Sequence, residues 1–406
     1  MRSTIELALV LALAACGAES PAVPIAPSAT RETPVVTTSA TAPPPTAAST
    51  AAPAGSSASA VLPGPPAARD STASAPLPPA RPATLSLSSG RGEPGDAELA
   101  AGDDAFERGD LAAADKSYAA ARSRGSKGGA AVGLARVRIA RQNVALDYAS
   151  AKGNTSILAA ARDLAHVAKE TPGFGAAFVE LGRAQLLLGD APAAIDSMKR
   201  GTTLLPDEPE AHSQLGVAWL ATGHADEAVR ELSRAAELDL GSAARHGNLG
   251  TALLMTGRTK EAIVQYELRA RIDDGDPRAH SDLGTALLAT NDLDRALSEL
   301  RRATALEPTR ATFHSNLGYA LQQAGQPDRA IAEYREALRL DAGLASAWIN
   351  LATILARNPK TRAEARAALA RAAAASPDDP RVRANLEELN SLEKGVSVGV
   401  GPDAGS

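Results

Sequence analysis

The sequence predicts an all-α solenoid built from a repeated helical hairpin, and three observations lead to this fold class. Leu-Gly pairs return every 34 residues, and each is followed at one constant offset by an alanine. Within one unit, such as residues 311–344, two runs with apolar residues at helical spacing are separated by Gly325-Gln326-Pro327, which breaks a helix. A fixed period of this length indicates a stack of identical supersecondary units. The pairs are Leu181-Gly182, Leu215-Gly216, Leu249-Gly250, Leu283-Gly284 and Leu317-Gly318, and Leu351-Ala352 continues them.

Side-chain size within the unit supports a close pair of helices. Gly318 and Ala330 are small where two helices would cross, whereas Leu321 and Tyr334 are large enough to fill the seam between them. On these residues the sequence resembles the tetratricopeptide repeat (TPR) family, which has Leu-Gly in its first helix, helix A, and Ala followed by an aromatic residue in its second, helix B. The resemblance implies a right-handed superhelix in which one face of the A helices lines a concave groove.

The N-terminus predicts export and a lipid anchor. A short basic start precedes the apolar run from Leu7 to Ala15, which is too short to span a bilayer and is typical of a secretory signal. Leu13-Ala14-Ala15-Cys16 resembles the bacterial lipobox, and this resemblance implies a lipid on Cys16, a signal peptide of residues 1–16 and a place in the bacterial cell envelope. Gly17 after the cysteine favours the outer membrane. The alternative is an ordinary secretory signal that leaves a free thiol, since the chain has 1 cysteine and can form no disulfide of its own.

Residues 17–94 consist almost entirely of Ala, Pro, Ser and Thr and contain no aromatic residue. Such a composition cannot bury a core, and it predicts a disordered linker. Behind a lipid anchor the linker would act as a tether. A low-complexity segment whose length serves no function would behave in the same physical way, so both interpretations stay open.

The ordered part is predicted to begin at residue 95. Residues 95–174 contain two degenerate units, and about a dozen extra residues around Gln142 to Thr155 predict lengthened helices with a loop at Lys152-Gly153-Asn154. A capping helix is predicted at residues 380–394 and a flexible tail at residues 395–406. Six clearer units lie between them, at residues 175–208, 209–242, 243–276, 277–310, 311–344 and 345–379.

Helical phase separates a packing face of helix A from a candidate binding face. Counting from the first residue of each unit, positions 2, 6, 9 and 13 lie roughly opposite the packing positions. In the TPR family this opposite face lines the groove. A column of amide and hydroxyl side chains there could bind the backbone of an extended peptide, because an amide both donates and accepts. Simple solvation of these side chains is the alternative. The candidate residues are Asn248, Thr251, Asp282, Thr285, Asn316, Tyr319, Asn350 and Thr353.

A second resemblance concerns the asparagines. The stretch ATFHSNLG at residues 311–318 looks like the repeats of O-linked N-acetylglucosamine transferases, whose groove carries an asparagine ladder. The similarity covers the repeats only. It implies that a partner peptide or helix is held in the concave groove.

Four histidines at position 4 also recur with the 34-residue period, at His212, His246, His280 and His314. Packed helices lie about 8 to 10 Å apart, whereas two ligands of one zinc must each bring a nitrogen to within about 2.1 Å of it. We therefore predict packing histidines, at a position where repeat 345–379 has Trp348, and neither a metal nor a cofactor.

Composition and motifs point away from catalysis. No HExxH, GxSxG or phosphate-binding glycine loop is present, so we expect no enzyme. A net charge of −5 argues against binding nucleic acid. The sequence therefore predicts a membrane-anchored scaffold that binds protein or peptide partners. The alternative is a regulatory or accessory subunit that presents substrates to an envelope hydrolase or glycosyltransferase.

Overall fold

The computed structural model describes residues 84–90, 92–144 and 148–394, and the predicted signal peptide and Cys16 lie outside them. The described residues form seventeen α-helices and one 3₁₀ helix, Pro359–Thr361, and contain no strand. In chain order the helices are α1 (Asp96–Glu107), α2 (Leu111–Ser123), α3 (Lys127–Ala140), α4 (Thr155–Glu170), α5 (Gly175–Leu188), α6 (Ala191–Leu204), α7 (Pro209–Ala221), α8 (Ala225–Leu238), α9 (Ala243–Met255), α10 (Thr259–Ile272), α11 (Pro277–Ala289), α12 (Leu293–Leu306), α13 (Ala311–Gln323), α14 (Pro327–Leu340), α15 (Ala345–Ala356), α16 (Arg362–Ala375) and α17 (Pro380–Glu393).

The helices pair in sequence, so that each odd-numbered helix is helix A of a repeat and the next helix is its helix B. Helices α1 and α2 form repeat 1, α3 and α4 form repeat 2, and the series ends with α15 and α16 in repeat 8. Helix α17 follows and packs against both helices of repeat 8. Each hairpin also packs against the next one along the chain. The predicted solenoid of helical hairpins is confirmed.

In repeats 1 and 3 to 7 a glycine of helix A faces a large side chain of helix B. A Cβ atom on Gly250 would lie 2.8 Å from the ring of Tyr266, and one on Gly284 would lie 2.6 Å from Cγ of Leu300. Real Cβ contacts are never that short, so only glycine lets the two helices approach this closely. The large partners are fully buried: Tyr118, Met198, Leu232, Tyr266, Leu300 and Tyr334 are at most 2 % exposed.

In repeats 1 and 3 to 7 the turn between helices A and B contains a residue with a left-handed backbone. Gly223 and Gly325 have φ angles of 77° and 70°, and in repeat 6 Asn291 takes the same place with φ 59°. Asn is one of the few residues that tolerate this conformation. In repeats 1, 2, 3 and 6 helix B then starts from a capping side chain, as when Asp190 accepts a hydrogen bond from the Ala193 amide.

Repeat 2 departs from the others in the connection between its helices. Helix α3 ends at Ala140 and α4 begins at Thr155, so the extra residues lie in the connection and the prediction of lengthened helices is wrong. The amides of Ala149 and Ala151 donate to the carbonyls of Leu186 and Leu187, at 3.0 and 2.9 Å. Because the end of helix α5 satisfies these groups, the connection does not need to be helical.

A segment that the sequence analysis assigned to the linker packs on the fold. Residues 84–90, assigned above to the disordered linker, pack against repeat 1, with Leu85 only 2 % and Leu87 only 4 % exposed. Both leucines belong to the same buried cluster as Leu99. The linker prediction is wrong for this segment because two leucines in a Ser-rich stretch supply enough apolar surface to hold it on the fold.

Candidate protein-binding face

Residues 84–89, here named the strap, lie along helix α1. Three carboxylates of α1 accept hydrogen bonds from it. The bonds run from Thr84 Oγ1 to Glu107 Oε1 (2.9 Å), from Leu87 N to Asp103 Oδ2 (2.7 Å), and from Ser89 N and Oγ to the carboxylate of Asp96 (3.1 and 2.7 Å). The order of these contacts shows that the strap runs antiparallel to α1.

The strap is an extended chain. Leu85 and Leu87 are buried whereas Ser86 is exposed, which is the alternation of an extended backbone. Five residue steps of extended chain, at about 3.3 Å each, span about 16 Å. The eleven steps between the contact residues Asp96 and Glu107 of α1, at about 1.5 Å each, span the same about 16 Å. These contact residues hold positions 2, 9 and 13 of repeat 1, so the strap occupies the face that the sequence analysis assigned to the groove.

Asp103 also joins the strap to the next repeats. Its carboxylate accepts from Tyr118 Oη at 2.8 Å and from a guanidinium nitrogen of Arg136 at 3.3 Å, while Arg136 Nε donates to Glu180 at 2.7 Å. The Arg136 side chain is 0 % exposed. Burial raises the pKa of Asp103, and the charge of Arg136 works in the opposite direction. Repeats 1, 2 and 3 are thereby linked through one buried guanidinium.

Two more buried arginines bridge repeats farther along the chain. Arg245 of repeat 5 lies 3.6 Å from Glu210 and 3.4 Å from Asp239, both of repeat 4. Burial raises the pKa of Glu210 to about 7, although Arg245 opposes the shift. A buried charge is tolerated only when it is paired, so these contacts constrain how neighbouring repeats meet.

The third arginine, Arg269 of repeat 5, pairs with Asp276 at 2.7 Å and also with Asp282 of repeat 6. Sequence analysis missed all three arginines, yet a signal was present for two. Arg245 and Arg269 occupy positions 3 and 27, which carry Ala, Gly or Phe in repeats 3, 4, 6 and 7. Gly247 leaves room for Arg269, since a Cβ atom on residue 247 would lie 3.1 Å from the Arg269 side chain.

The asparagines of the predicted column lie in different environments. Asn248 is 1 % exposed, and within the described residues neither of its amide atoms has a hydrogen-bond partner. Asn316 is half-buried and donates to Ser281 Oγ of the preceding repeat at 3.2 Å. Asn350 is half-buried. The three amides therefore differ in how far a partner can reach them, and Asn248 is the least accessible.

The other predicted groove residues are similarly divided. Thr251 is 9 % exposed and shares a hydrogen bond with the Tyr266 hydroxyl at 3.1 Å. Asp282 is half-buried and paired with Arg269, and burial raises its pKa. Thr285, Tyr319 and Thr353 are half-buried, and the two threonine hydroxyls donate to carbonyls of their own helices, Ser281 O at 2.8 Å and Ile349 O at 2.9 Å. Repeats 6 to 8 thus present the accessible part of the predicted site.

Both ring nitrogens of each repeated histidine have a partner. His212 Nδ1 lies 2.7 Å from Glu231 of its own helix B, and Nε2 lies 3.1 Å from the Pro206 carbonyl in the preceding turn. Trp348 Nε1, which can only donate, makes the equivalent bond to the Ala342 carbonyl at 2.9 Å. A histidine that donates from Nε2 and faces a carboxylate with Nδ1 is favoured in its protonated form. Accordingly, the pKa of His212 is raised, mainly by its hydrogen bond to Glu231.

Metal-binding clusters and membrane-spanning helices are both absent from the described ranges. Residues 84–90, 92–144 and 148–394 contain no group of three or more His, Cys, Asp and Glu side chains that could hold a metal. In the same ranges no helix is both long enough and apolar enough to cross a bilayer.

A family model described as tetratricopeptide repeat matches residues 213–277, 281–345 and 316–380. No curated protein matches the chain. The matched residues cover repeats 4 to 8, including the accessible part of the predicted site.

Several solved structures are similar to this chain. The hetero-tetramer Cut9–Hcn1 of the APC/C matches at 18 % identity with a TM-score of 0.52, over 72 % of this chain and 55 % of that one. MamA from Desulfovibrio magneticus RS-1 matches at 20 % identity and a TM-score of 0.40, over 41 % of this chain and 95 % of that one. YrrB, a TPR protein with an unusual peptide-binding site, matches at 20 % identity and 0.38, over 48 % and 99 %. At these identities the likeness concerns the fold alone, and the helical part of this chain is a solenoid of tetratricopeptide repeats.

Proposed function

We propose that this protein is a non-catalytic scaffold that binds an extended segment of a partner protein along the concave face of its A helices. The observation that carries the proposal is the strap. An extended peptide lies on this face of α1 in the fold itself, held by side chains of positions 2, 9 and 13. The same helix face therefore has the shape and the polar groups needed to hold an extended chain.

Repeats 6 to 8 are the best candidates for an external partner because their groove residues are accessible. Tyr319 offers a half-buried aromatic ring with a hydroxyl. Asn316 uses one amide hydrogen for Ser281 and keeps a second. Thr285 and Thr353 donate to their own helices, and each hydroxyl oxygen can still accept from a peptide N–H. These side chains can form hydrogen bonds with peptide backbone groups, and they favour a neutral extended peptide over nucleic acid.

We propose further that the scaffold is tethered in the bacterial cell envelope, at the outer membrane, by a lipid on Cys16. The lipobox-like Leu13-Ala14-Ala15-Cys16 after a short apolar run supports this. A Cys16→Ser variant should leave the membrane fraction and lose incorporation of labelled fatty acid. Unchanged membrane association without label would remove the lipoprotein assignment and leave the solenoid unaffected.

The binding proposal can be tested by site-specific photo-crosslinking. A benzophenone amino acid in place of Tyr319 retains an aromatic ring and should capture a partner segment in the groove. The matched control replaces Val264, a helix B residue that is 50 % exposed, and should capture less of the same partner by at least tenfold. Equal capture at both positions would contradict binding through the concave face. Mass spectrometry of the captured segment would distinguish an assembly partner from an envelope enzyme.

A further inference from the structure

We propose that the strap is an intramolecular ligand of repeat 1, and that a partner segment with leucines alternating with serine or threonine binds the same face of α1 in its place. The inference rests on the proposed role of the concave face but concerns a different repeat. It assigns to repeat 1 a binding site whose occupant is already visible in the structure.

The strap packs on repeat 1, but the hairpin of α1 and α2 has its own packing. Its contacts are two leucines and the hydrogen bonds to carboxylates of α1. Helices α1 and α2 hold each other separately, through the close approach of Gly102 to Tyr118, where a Cβ would lie 2.4 Å from the ring. When the strap leaves, water can replace its hydrogen bonds to the carboxylates, and the hairpin retains its own packing. A segment of this kind opens before the hairpin does.

The chemistry of the face selects its ligand. Asp96, Asp103 and Glu107 can only accept hydrogen bonds when ionised, so a ligand must supply backbone N–H or hydroxyl donors at matching intervals. An acidic segment would be repelled. Leu85 and Leu87 lie in the buried cluster that includes Leu99, so apolar side chains must fall on alternate positions of the ligand. Together these requirements describe a Leu-x-Leu segment flanked by Ser or Thr.

This arrangement is specific to repeat 1. The corresponding positions 2, 9 and 13 in repeat 6 are Arg278, Thr285 and Ala289, and no other repeat from 3 to 8 has acidic residues at all three. The strap therefore fits only the end of the solenoid where it lies. Because it is covalently linked to this site, the strap competes at a high effective concentration. A partner's apparent dissociation constant is its intrinsic one divided by the fraction of molecules in which the strap has left the site.

The first test measures binding of a labelled synthetic peptide, TLSLSSG, to the full chain. A Leu85→Ser/Leu87→Ser variant removes the strap's apolar anchors and should bind the peptide at least tenfold more tightly than the wild type. A Ser86→Ala variant, which changes an exposed strap residue, should behave as the wild type does. The peptide TSSSSSG should not bind either protein. Equal affinity for wild type and double variant would overturn the proposal.

Hydrogen exchange supplies a second test, which still applies if the double substitution disturbs the fold of repeat 1. In the wild type, the Leu87 and Ser89 amides should exchange at least tenfold faster than the core amides of α1, and faster again when the TLSLSSG peptide is added. Exchange at the rate of α1 with no response to peptide would overturn the proposal. Loss of exchange protection at the α1 and α2 amides of the double variant would also overturn the proposal. Repeat 1 would then need the strap in order to fold, and a partner could not displace it. Crosslinking at Tyr319 reports separately on repeats 6 to 8, so the two proposals can fail independently.

Discussion

Repeats 1 to 6 and repeats 7 and 8 have the same hairpin but different junctions. In the first region, Arg136, Arg245 and Arg269 are each at most 2 % exposed and pair with carboxylates of adjacent repeats. In the second region the junction carries a neutral contact, from Asn316 to Ser281. C-terminal to Ser281, Ser315 is the one buried polar residue in the part of the chain that the structure describes.

The difference shows that hairpin packing and repeat junctions obey separate constraints. The hairpin interior is alike in repeats 1 and 3 to 7, where a glycine of helix A faces a large residue of helix B, and repeat 8 has Ala352 in place of the glycine. The junction can use buried charge or neutral groups. A buried ion pair tolerates little rearrangement, since each charged group would be left without a counter-charge if the other moved. We therefore expect the first region to be more rigid and more sensitive to single substitutions at its junctions.

The largest effect is expected at Arg136. An Arg136→Met substitution would leave the carboxylate of Asp103 buried without a counter-charge and Glu180 with only its longer contact to Arg183, at 3.7 Å. It should lower the free energy of unfolding by about 3 to 5 kcal/mol. Chemical denaturation gives the overall loss, and hydrogen exchange should place it in repeats 1 to 3. The control is Arg138→Met, which breaks the exposed pair with Asp163 and should cost at most about 1 kcal/mol. Equal effects of the two substitutions would show that the buried network does not stabilise the junctions.

A smaller effect is expected in the hairpin interior, and it should be equal in the two regions. Gly284→Leu and Gly318→Leu would each place a Cβ atom less than 3 Å from a buried side chain of helix B, and overpacking of this kind costs about 1 to 3 kcal/mol. Thermal unfolding with hydrogen exchange on repeats 5 to 8 would measure both. A neutral result at either position would contradict the close helix crossing, and a large difference between them would contradict the uniform hairpin.

The neutral junction should cost less to break. Asn316→Ala removes one hydrogen bond to Ser281 and should lower the free energy of unfolding by about 0.5 to 1.5 kcal/mol. The loss should appear at the contact between repeats 6 and 7 in hydrogen exchange. A cost as large as that of Arg136→Met would erase the distinction between the two regions.

The smallest effect is expected from pH at His212. Its pKa is raised in the folded state, so the contribution to stability is fully present below the ordinary value of 6.5 and is lost as the pH rises through the folded-state pKa. Glu231 supplies the favourable hydrogen bond, and Arg234 opposes the shift. Because the pair is partly exposed, we expect less than about 1 kcal/mol.

A Glu231→Gln substitution should flatten this part of the pH dependence. The chain already contains that pair in repeat 5, where His246 bonds to Gln265 at 2.8 Å. Urea denaturation from pH 5 to 9 would compare the two proteins. A pH profile that is unchanged by the substitution would show that the carboxylate does not hold the proton on His212.

Much of the fold follows from period alone, whereas the details of the site do not. The spacing of Leu-Gly pairs places every helix pair from repeat 3 onward, because one set of local rules is applied repeatedly. The strap could not be found in this way, since Leu85 and Leu87 have no repeat partner and their burial depends on a surface formed by distant residues. For the asparagines, helical phase could only place the side chains on one face of helix A. It could not show that Asn248 would be buried.

The direction of the strap also determines how the molecule responds to mechanical load. Thr84, the first strap residue, bonds near the C-terminal end of α1, and Ser89, the last, bonds near its N-terminal end. Tension applied to the chain before Thr84 therefore reaches the contact with Glu107 first, then that with Asp103 and finally that with Asp96. Contacts loaded one after another break at low force, as in peeling, whereas contacts loaded together resist as in shear. A pull from the N-terminal side would thus uncover the face of repeat 1 stepwise while the hairpins behind it carry little of the force.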